Sequence, residues 1–122
     1  MALILVVDDS PTEAHVIKGM LEKHGFTIET ADNGTSGIER AKELSPDLIL
    51  MDVVMPGLNG FQATRQLSKN AETADIPVII VTAKNQETDR VWGMRQGARE
   101  FISKPVTEKQ LIEKIEGILQ EA

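Results

Sequence analysis

The sequence contains no cysteine among its 122 residues. Disulfides, thiolate nucleophiles and cysteine-based zinc or iron–sulfur sites are therefore excluded together. Histidine is almost as scarce, because only His15 and His24 are present, nine positions apart and outside any paired metal-binding motif. We assign neither histidine a role. Any metal site in this chain must therefore use oxygen ligands.

Long apolar runs are missing as well. The longest, around residues 76–81, has the length of a strand and is too short to cross a bilayer. The N-terminal residues lead straight to Asp8-Asp9 with no basic region and no cleavage site, so no signal peptide is expected. We therefore expect a cytoplasmic protein without membrane insertion.

Basic residues are fewer than acidic residues in this chain. Nineteen acidic residues against thirteen basic ones give a net charge of −6. A protein of this charge is repelled by phosphate backbones, so no nucleic-acid partner is expected. Acidity of this kind arises from solvated faces, and also where several carboxylates gather at one metal site.

Short apolar runs alternate with amphipathic segments along the whole chain, which has the size of one compact domain. The predicted strands are Leu3–Val7, Phe26–Ala31, Leu48–Met51, Ile76–Val81 and Phe101–Ser103. The predicted helices run from Pro11 to near Gly25, over Ile38–Leu44, Phe61–Leu67, Glu87–Gln96 and Thr107–Leu119. This alternation predicts an α/β fold, in which a five-stranded parallel sheet is covered by helices on both faces. We expect a single domain over residues 1–122, with no output domain attached.

Two of the predicted helices begin with a capping-box pattern. In the first, Ser10 can cap the helix, Pro11 fits its first position and Glu13 completes S-x-x-E. Thr107 and Gln110 form the second such pair. We expect both boxes to be closed by reciprocal hydrogen bonds.

Polar residues follow four of the five predicted strands. Asp8-Asp9 end the first strand, Asp52 the third, Thr82 the fourth and Lys104-Pro105 the fifth. Ligands of an open parallel sheet bind outside the carboxyl ends of its strands, so these side chains should meet at one rim. Three carboxylates so close together repel one another unless a cation lies among them, and an all-oxygen set selects Mg²⁺ or a similar ion. Such a site can receive a phosphoryl group, with one carboxylate as the nucleophile.

These residues and their spacing resemble the response-regulator receiver domains of two-component signalling, the CheY-like proteins. The resemblance rests on Asp8-Asp9, on Asp52 within the segment 48–60, on Thr82-Ala83 and on Lys104-Pro105, and it covers the whole chain. It implies a doubly wound (βα)5 fold with strand order 2-1-3-4-5. More narrowly, residues 55–67 and 72–106 are similar to the stand-alone receivers of the chemotaxis-like system that controls type IV pilus twitching motility.

The resemblance also implies roles for the rim residues. Asp52 accepts a phosphoryl group from a histidine kinase, Asp9 and Asp52 bind Mg²⁺ with the Val54 carbonyl, and Asp8 acts through a bound water. Lys104 and Thr82 contact the phosphoryl group, and the Lys104–Pro105 peptide is cis. Phe101 stands where the family places an aromatic switch residue, which works with Thr82. Output passes to a protein partner through the fourth helix, fifth strand and fifth helix, or the protein serves as a phosphate sink.

Two other classes remain as alternatives. A phosphatase of the haloacid dehalogenase type needs a second aspartate two residues after the nucleophile, where this chain has Val54. A flavodoxin-like cofactor carrier is disfavoured because the chain has one Trp, three Phe and no Tyr, and no G-x-G-x-x-G loop. We therefore predict a phosphoacceptor protein whose chemistry is directed at its own Asp52, and which is not an enzyme in the ordinary sense.

Overall fold

A computed structural model describes residues 2–120 of the chain. The strands are β1 (Leu3–Val7), β2 (Thr27–Ala31), β3 (Leu48–Met51), β4 (Val78–Thr82) and β5 (Glu100–Ser103). The helices are α1 (Pro11–Glu22), α2 (Gly34–Leu44), α3 (Gly60–Lys69), α4 (Glu87–Arg95) and α5 (Glu108–Gln120). Within the described residues, no helix is both long enough and apolar enough to span a membrane.

The five strands form one parallel sheet in the order β2-β1-β3-β4-β5. This confirms the predicted α/β class and the strand order implied by the resemblance. Several predicted boundaries differ by one residue from the structure, such as the start of β2, which is Thr27 and not Phe26. The start of β4 was wrong by two residues, because β4 begins at Val78 and not at Ile76. The Ile76 N–H bonds back to the Thr73 carbonyl in a turn, and Pro77 has no N–H to offer a neighbouring strand.

The sheet is covered on both faces, as its unbroken apolar strands indicated. Alternate strand residues point to opposite faces, so each strand contributes to two cores. One core lies between the sheet and helices α1 and α5, and contains Ile4, Val6, Leu48, Leu50, Ile79, Val81 and Ile102 from the strands. The other core is formed with α2 and α3, and contains Leu5, Val7, Ile49, Met51 and Val78 from the strands.

The predicted capping boxes at the helix N-termini are confirmed only in part. The Ser10 hydroxyl accepts a hydrogen bond from the Glu13 N–H at 3.3 Å, as predicted. The reciprocal half of that box was predicted wrongly, because the Ser10 N–H donates to Asp8 and the Glu13 carboxylate pairs with Lys104. At the second predicted box, the Thr107 hydroxyl accepts from the Gln110 N–H at 3.1 Å. The α3 box between Asn59 and Gln62 is complete, although the sequence analysis did not identify it.

Helix α4 lies close to the sheet because of a glycine. A Cβ atom added at Gly93 would come within 2.8 Å of Ile80 Cδ1 and 3.4 Å of ring atoms of Phe61 and Phe101. Gly93 therefore allows α4 to approach these side chains. The helix lacks a continuous buried stripe, and its exposed apolar side chains include Val91, Trp92 and Met94.

Candidate functional site

The pleat of the strands explains the positions of three of the predicted site residues. Val7 pairs with Met51 at the ends of β1 and β3, so Asp8 and Asp52 leave the sheet side by side. Ile102 lies in the core under α1 and α5, and Lys104 is two residues further along the same strand direction. Strand alternation therefore delivers Asp8, Asp52 and Lys104 to the same side of the rim.

Asp8, Asp9 and Asp52 form a carboxylate cluster. One oxygen from each of the three residues lies within 4.8 Å of the other two. Asp8 is 4% exposed and Asp52 is 7% exposed, whereas Asp9 is open to solvent. Two nearly buried carboxylates beside a third are costly without positive charge, so the arrangement requires a cation nearby.

Lys104 supplies positive charge to this cluster. Its Nζ atom lies 2.9 Å from Asp8 Oδ2 and 3.3 Å from Asp52 Oδ2. Burial lowers the pKa of Lys104, but hydrogen bonds to Asp8 and Glu13 and the charges of Asp52 and Asp8 raise it by more. The pKa therefore stands above the ordinary lysine value, and Lys104 is a cation throughout the physiological range. The Lys104–Pro105 peptide bond is cis.

Asp52 is held in one orientation by the backbone that follows it. Its Oδ1 atom accepts hydrogen bonds from the N–H groups of Val53 at 2.7 Å and Val54 at 3.4 Å. Its Oδ2 atom faces Lys104. The two carboxylate oxygens of Asp52 are therefore in different environments, because one is bound by backbone N–H groups and the other faces the Lys104 ammonium.

The segment after Asp52 is closed by a glycine at the first position of α3. The Gly60 N–H donates to the Val53 carbonyl at 3.0 Å. A Cβ atom at Gly60 would lie 2.0 Å from the carbonyl oxygen of Asp52 and 2.7 Å from the Val53 Cα. Only glycine allows α3 to begin this close to the acidic residue. The sequence analysis began the third helix at Phe61 and did not identify this contact of Gly60.

Thr82 lies at the end of β4, as predicted, whereas Phe101 does not begin or end its strand as predicted. Thr82 ends β4 and is fully buried, and its hydroxyl accepts from the Lys84 N–H at 3.4 Å. Phe101 was expected at a strand end, but it is the second residue of β5 and pairs with Ile80. It packs in a small cluster with Val53, Ile80, Ala98 and Phe61. Val53 directly follows Asp52, so this cluster borders the site.

Glu13 is a member of the site that sequence reasoning missed. Its carboxylate lies 3.0 Å from Lys104 Nζ. The S-x-x-E pattern had assigned this side chain to a capping box. A signal was present, however, because the first turn of a helix that follows Asp8-Asp9 lies at the same rim as the cluster.

The fold and the site together define a phosphoacceptor domain of two-component signalling. A family model described as the response regulator receiver domain matches residues 4–116, and the chain belongs to this family. Protein PilH of Pseudomonas aeruginosa is 60% identical over 119 residues, which cover 98% of this chain and 98% of that protein.

Solved structures agree with this assignment. The chemotaxis protein CheY4 of Vibrio cholerae is 26% identical with a TM-score of 0.90, and the match covers 96% of this chain and 98% of that one. The receiver domain of a signal transduction histidine kinase from Syntrophus aciditrophicus is 34% identical with a TM-score of 0.92. That match covers 100% of this chain and 92% of that one. The protein is thus a receiver domain of a two-component system, and the phosphatase and cofactor-carrier alternatives are set aside.

Proposed function

We propose that Asp52 accepts a phosphoryl group from a phosphohistidine of a histidine kinase. The observation that carries this proposal is the buried Asp52 carboxylate, oriented by two backbone N–H groups and contacted by Lys104. Oδ1 of Asp52 already accepts two hydrogen bonds, so Oδ2 is the nucleophile. The P–N bond of the donor breaks as the P–O bond to Asp52 forms, and the imidazole leaves with the electron pair and takes up a proton.

The acidic cluster fits Mg²⁺. Two ligands of one such ion lie at most about 4.2 Å apart, because each Mg–O bond is about 2.1 Å long. The three carboxylate oxygens lie within 4.8 Å of one another, so at most a small contraction, or a water between Asp8 and the ion, is needed. We assign Asp9, Asp52 and the Val54 carbonyl as direct ligands, with Asp8 acting through water. The ion would neutralise charge on the carboxylates and on the phosphoryl oxygens.

Lys104 and Thr82 complete the site in this proposal. Lys104 can follow the transferred group, because its ammonium already lies 3.3 Å from the accepting oxygen. The Lys104 N–H is bonded to the Thr82 carbonyl at 2.8 Å, which connects the ends of β4 and β5. Among residues 2–120, the Thr82 hydroxyl makes one long hydrogen bond, which it accepts from the Lys84 N–H at 3.4 Å, so its own proton can be donated to a phosphoryl oxygen.

The kinase partner is supported by the surface beside Lys104. A groove of about 180 Å³ lies between α1 and the segment after β5, and Val16, Met20, Pro105 and Val106 line it. Val16 is 50% exposed, which is unusual for a large apolar residue of α1. An apolar surface at the mouth of the site suits a helix that presents the donor histidine.

We place the protein in the chemotaxis-like system that controls twitching by type IV pili. Support comes from the resemblance of residues 55–67 and 72–106 to the receivers of that system, and from the 60% identity to PilH. In this role residues 1–122 act as a cytoplasmic receiver domain. Its phosphotransfer and dephosphorylation act on its own Asp52, so it is not an enzyme with a separate substrate.

Output through α4, β5 and α5 is supported by the exposed apolar side chains of α4. Trp92 is 50% exposed and Val91 is 42% exposed. Gly93, between these residues and Met94, packs on Phe101 and Ile80. A partner that binds this face would therefore respond to movement of the cluster that borders Asp52.

Mg²⁺ is expected to raise the Tm of the protein. An ion that binds the folded carboxylate cluster, and not the unfolded chain, stabilises the fold by mass action. Thermal melts at increasing Mg²⁺ concentration measure this increment. Asp9→Ala should remove it and have little effect on the Tm without the ion, because Asp9 is exposed.

Asp32→Ala is the matched control for the metal test. Asp32 also follows a strand at the same rim, but it lies outside the carboxylate cluster. The Asp32→Ala variant should retain the full Mg²⁺-dependent rise in Tm. Equal increments in wild type and Asp9→Ala would contradict the ligand assignment.

Phe101→Ala should uncouple α4 from the phosphorylation of Asp52. Phe101 packs against the cluster that contains Val53, next to the phosphoacceptor, and lies beside Gly93 in α4, so its removal weakens the packed connection between them. Hydrogen exchange with and without beryllofluoride, a phosphoryl mimic, measures the response. In wild type we expect larger changes in α4 and β5 than in α1, and in the variant we expect the α4 change to shrink while phosphorylation persists.

Phe26→Ala provides the control for this experiment. Phe26 is also partly buried, but it packs with the core under α1 and α5. This variant should keep the α4 response. An unaltered response in Phe101→Ala would show that the signal leaves Asp52 by another route.

A further inference from the structure

A groove between α2 and α3 lies outside the site described above. Its volume is about 510 Å³, and its apolar lining comes from Ile38 and Leu58. Three cationic side chains also line it, Lys42 from α2 and Arg65 and Lys69 from α3. No aspartate or glutamate lines it. We refer to these five residues as the α2–α3 groove.

The cations of the α2–α3 groove have no acidic partners within residues 2–120, although this is an acidic protein. Most other basic residues there make ion pairs, for example Lys23 with Glu108, Arg40 with Glu29 and Lys114 with Glu100. The unpaired lysines and arginines of the described chain are Lys18, Lys42, Arg65, Lys69, Arg95 and Lys109. Half of them therefore lie in one groove. Random placement on a chain of net charge −6 does not favour such a cluster.

We propose that the α2–α3 groove binds a short acidic segment of a partner protein. Charge complementarity selects an anionic ligand, and the apolar lining from Ile38 and Leu58 suits side chains that alternate with the acidic ones. Exposed Gln66 also lines the groove, and its side-chain amide, which makes no hydrogen bond in the described structure, can bind a peptide backbone.

The net charge of the protein argues for a peptide over a larger polyanion. A nucleic acid carries a charge about every 1.7 Å of duplex and extends past any single groove. It would meet the repulsion of the remaining acidic surface, as would an anionic membrane. A short segment meets only the three cations of the groove.

This proposal does not depend on phosphorylation. None of the three cations contacts Asp8, Asp9 or Asp52. Loss of phosphoryl uptake and loss of groove binding can therefore be measured separately. The groove also lies between α2 and α3, away from the exposed apolar residues of α4.

The test uses the full chain and a defined acidic probe. Helix α2 has 11 residues, a length of about 16 Å, which about five extended residues match. The probe is a fluorescein-labelled peptide of about eight residues, made of alternating Glu and Leu, and fluorescence anisotropy measures its binding. Its neutral counterpart has Gln in place of Glu. We expect the acidic peptide to bind and to shift backbone amide resonances of α2 and α3.

Charge reversal with a matched control distinguishes the groove from overall charge. The groove variant combines Lys42→Glu, Arg65→Glu and Lys69→Glu. The control combines Lys18→Glu, Arg95→Glu and Lys109→Glu, which reverses three unpaired cations elsewhere and changes net charge equally. The groove variant should bind the acidic peptide about tenfold or more weakly than wild type, whereas the control should lose about twofold.

Several results would overturn the proposal. These are equal losses in the two variants, equal binding of the neutral peptide, or amide shifts outside α2 and α3. If single-stranded DNA or anionic vesicles bind through the same three cations more tightly than the acidic peptide does, the groove does not have an acidic protein segment as its ligand. If the triple reversal does not fold, Lys42→Gln with Lys69→Gln replaces it, and unchanged binding by that variant would also overturn the proposal.

Discussion

Asp52→Asn should take up no phosphoryl group from acetyl phosphate or from a histidine kinase, while its fold remains intact. The amide has the shape of the carboxylate but is a poor nucleophile. It can still accept the hydrogen bonds of the Val53 and Val54 N–H groups through its carbonyl oxygen. Lys104 keeps Asp8 at 2.9 Å and Glu13 at 3.0 Å, so its charge remains paired. Phosphate labelling and the circular dichroism spectrum measure the two parts of this expectation.

Asp47→Asn is the control for that experiment, because Asp47 and Asp52 flank β3 at opposite ends. The Asp47 carboxylate accepts a hydrogen bond from the Leu3 N–H, which an asparagine oxygen can also accept. This variant has the same change in charge and should be phosphorylated like wild type. Undiminished labelling of Asp52→Asn would refute the assignment of the phosphoacceptor. Faster transfer from a pilus-system kinase than from an unrelated kinase would support the proposed pathway, and the reverse order would contradict it.

Gly60→Ala should destabilise the protein by at least about 3 kcal/mol, which is the upper part of the range for overpacking. The added Cβ would lie 2.0 Å from the Asp52 carbonyl oxygen, and backbone atoms cannot move aside as a flexible side chain can. Relief requires the start of α3 to move away from the segment that orients Asp52. Denaturant unfolding measures the loss of stability, and we also expect slower phosphoryl uptake per folded molecule.

Gly19→Ala is the control, because it makes the same substitution at a position where the structure has space for a Cβ atom. Gly19 lies within α1, and a Cβ atom there would meet nothing within 4 Å. Alanine should therefore stabilise this helix by up to about 1 kcal/mol through its higher helix propensity. If the two variants had equal stability, the close approach of α3 to Asp52 would not constrain residue 60.

The order of elements and most of the site could be predicted because both depend on local patterns. Runs such as Leu3–Val7 and Leu48–Met51 are too short and too apolar for anything but buried strands. Parallel strands must then place the residues that follow them at one rim. This rule predicts from the sequence that Asp8, Asp9, Asp52 and Lys104 meet.

Contacts between distant segments could not be predicted in the same way. Ser10 and Glu13 fit a capping box, yet the Glu13 carboxylate binds Lys104, which is far away in sequence. The local pattern was valid, but the Ser10 N–H that would complete it donates to Asp8, and the Lys104 ammonium offers Glu13 a charged partner. The close approach of Gly93 to Ile80 and Phe101 likewise depends on how α4 packs on the sheet, which no local pattern specifies.

The sequence by itself therefore determined the α/β class, the acidic rim and the identity of Asp52 as the candidate phosphoacceptor. The class and the rim follow from apolar periodicity and from residue types at strand ends, which are properties of neighbouring residues. Asp52 was singled out among the carboxylates by the resemblance of its segment to receiver domains. Only the tertiary structure decided which oxygen of Asp52 faces Lys104, why residue 60 must be glycine, and that Lys42, Arg65 and Lys69 share one groove. Each of these depends on the distance between atoms of separate elements, and that distance is set by helix packing on the sheet.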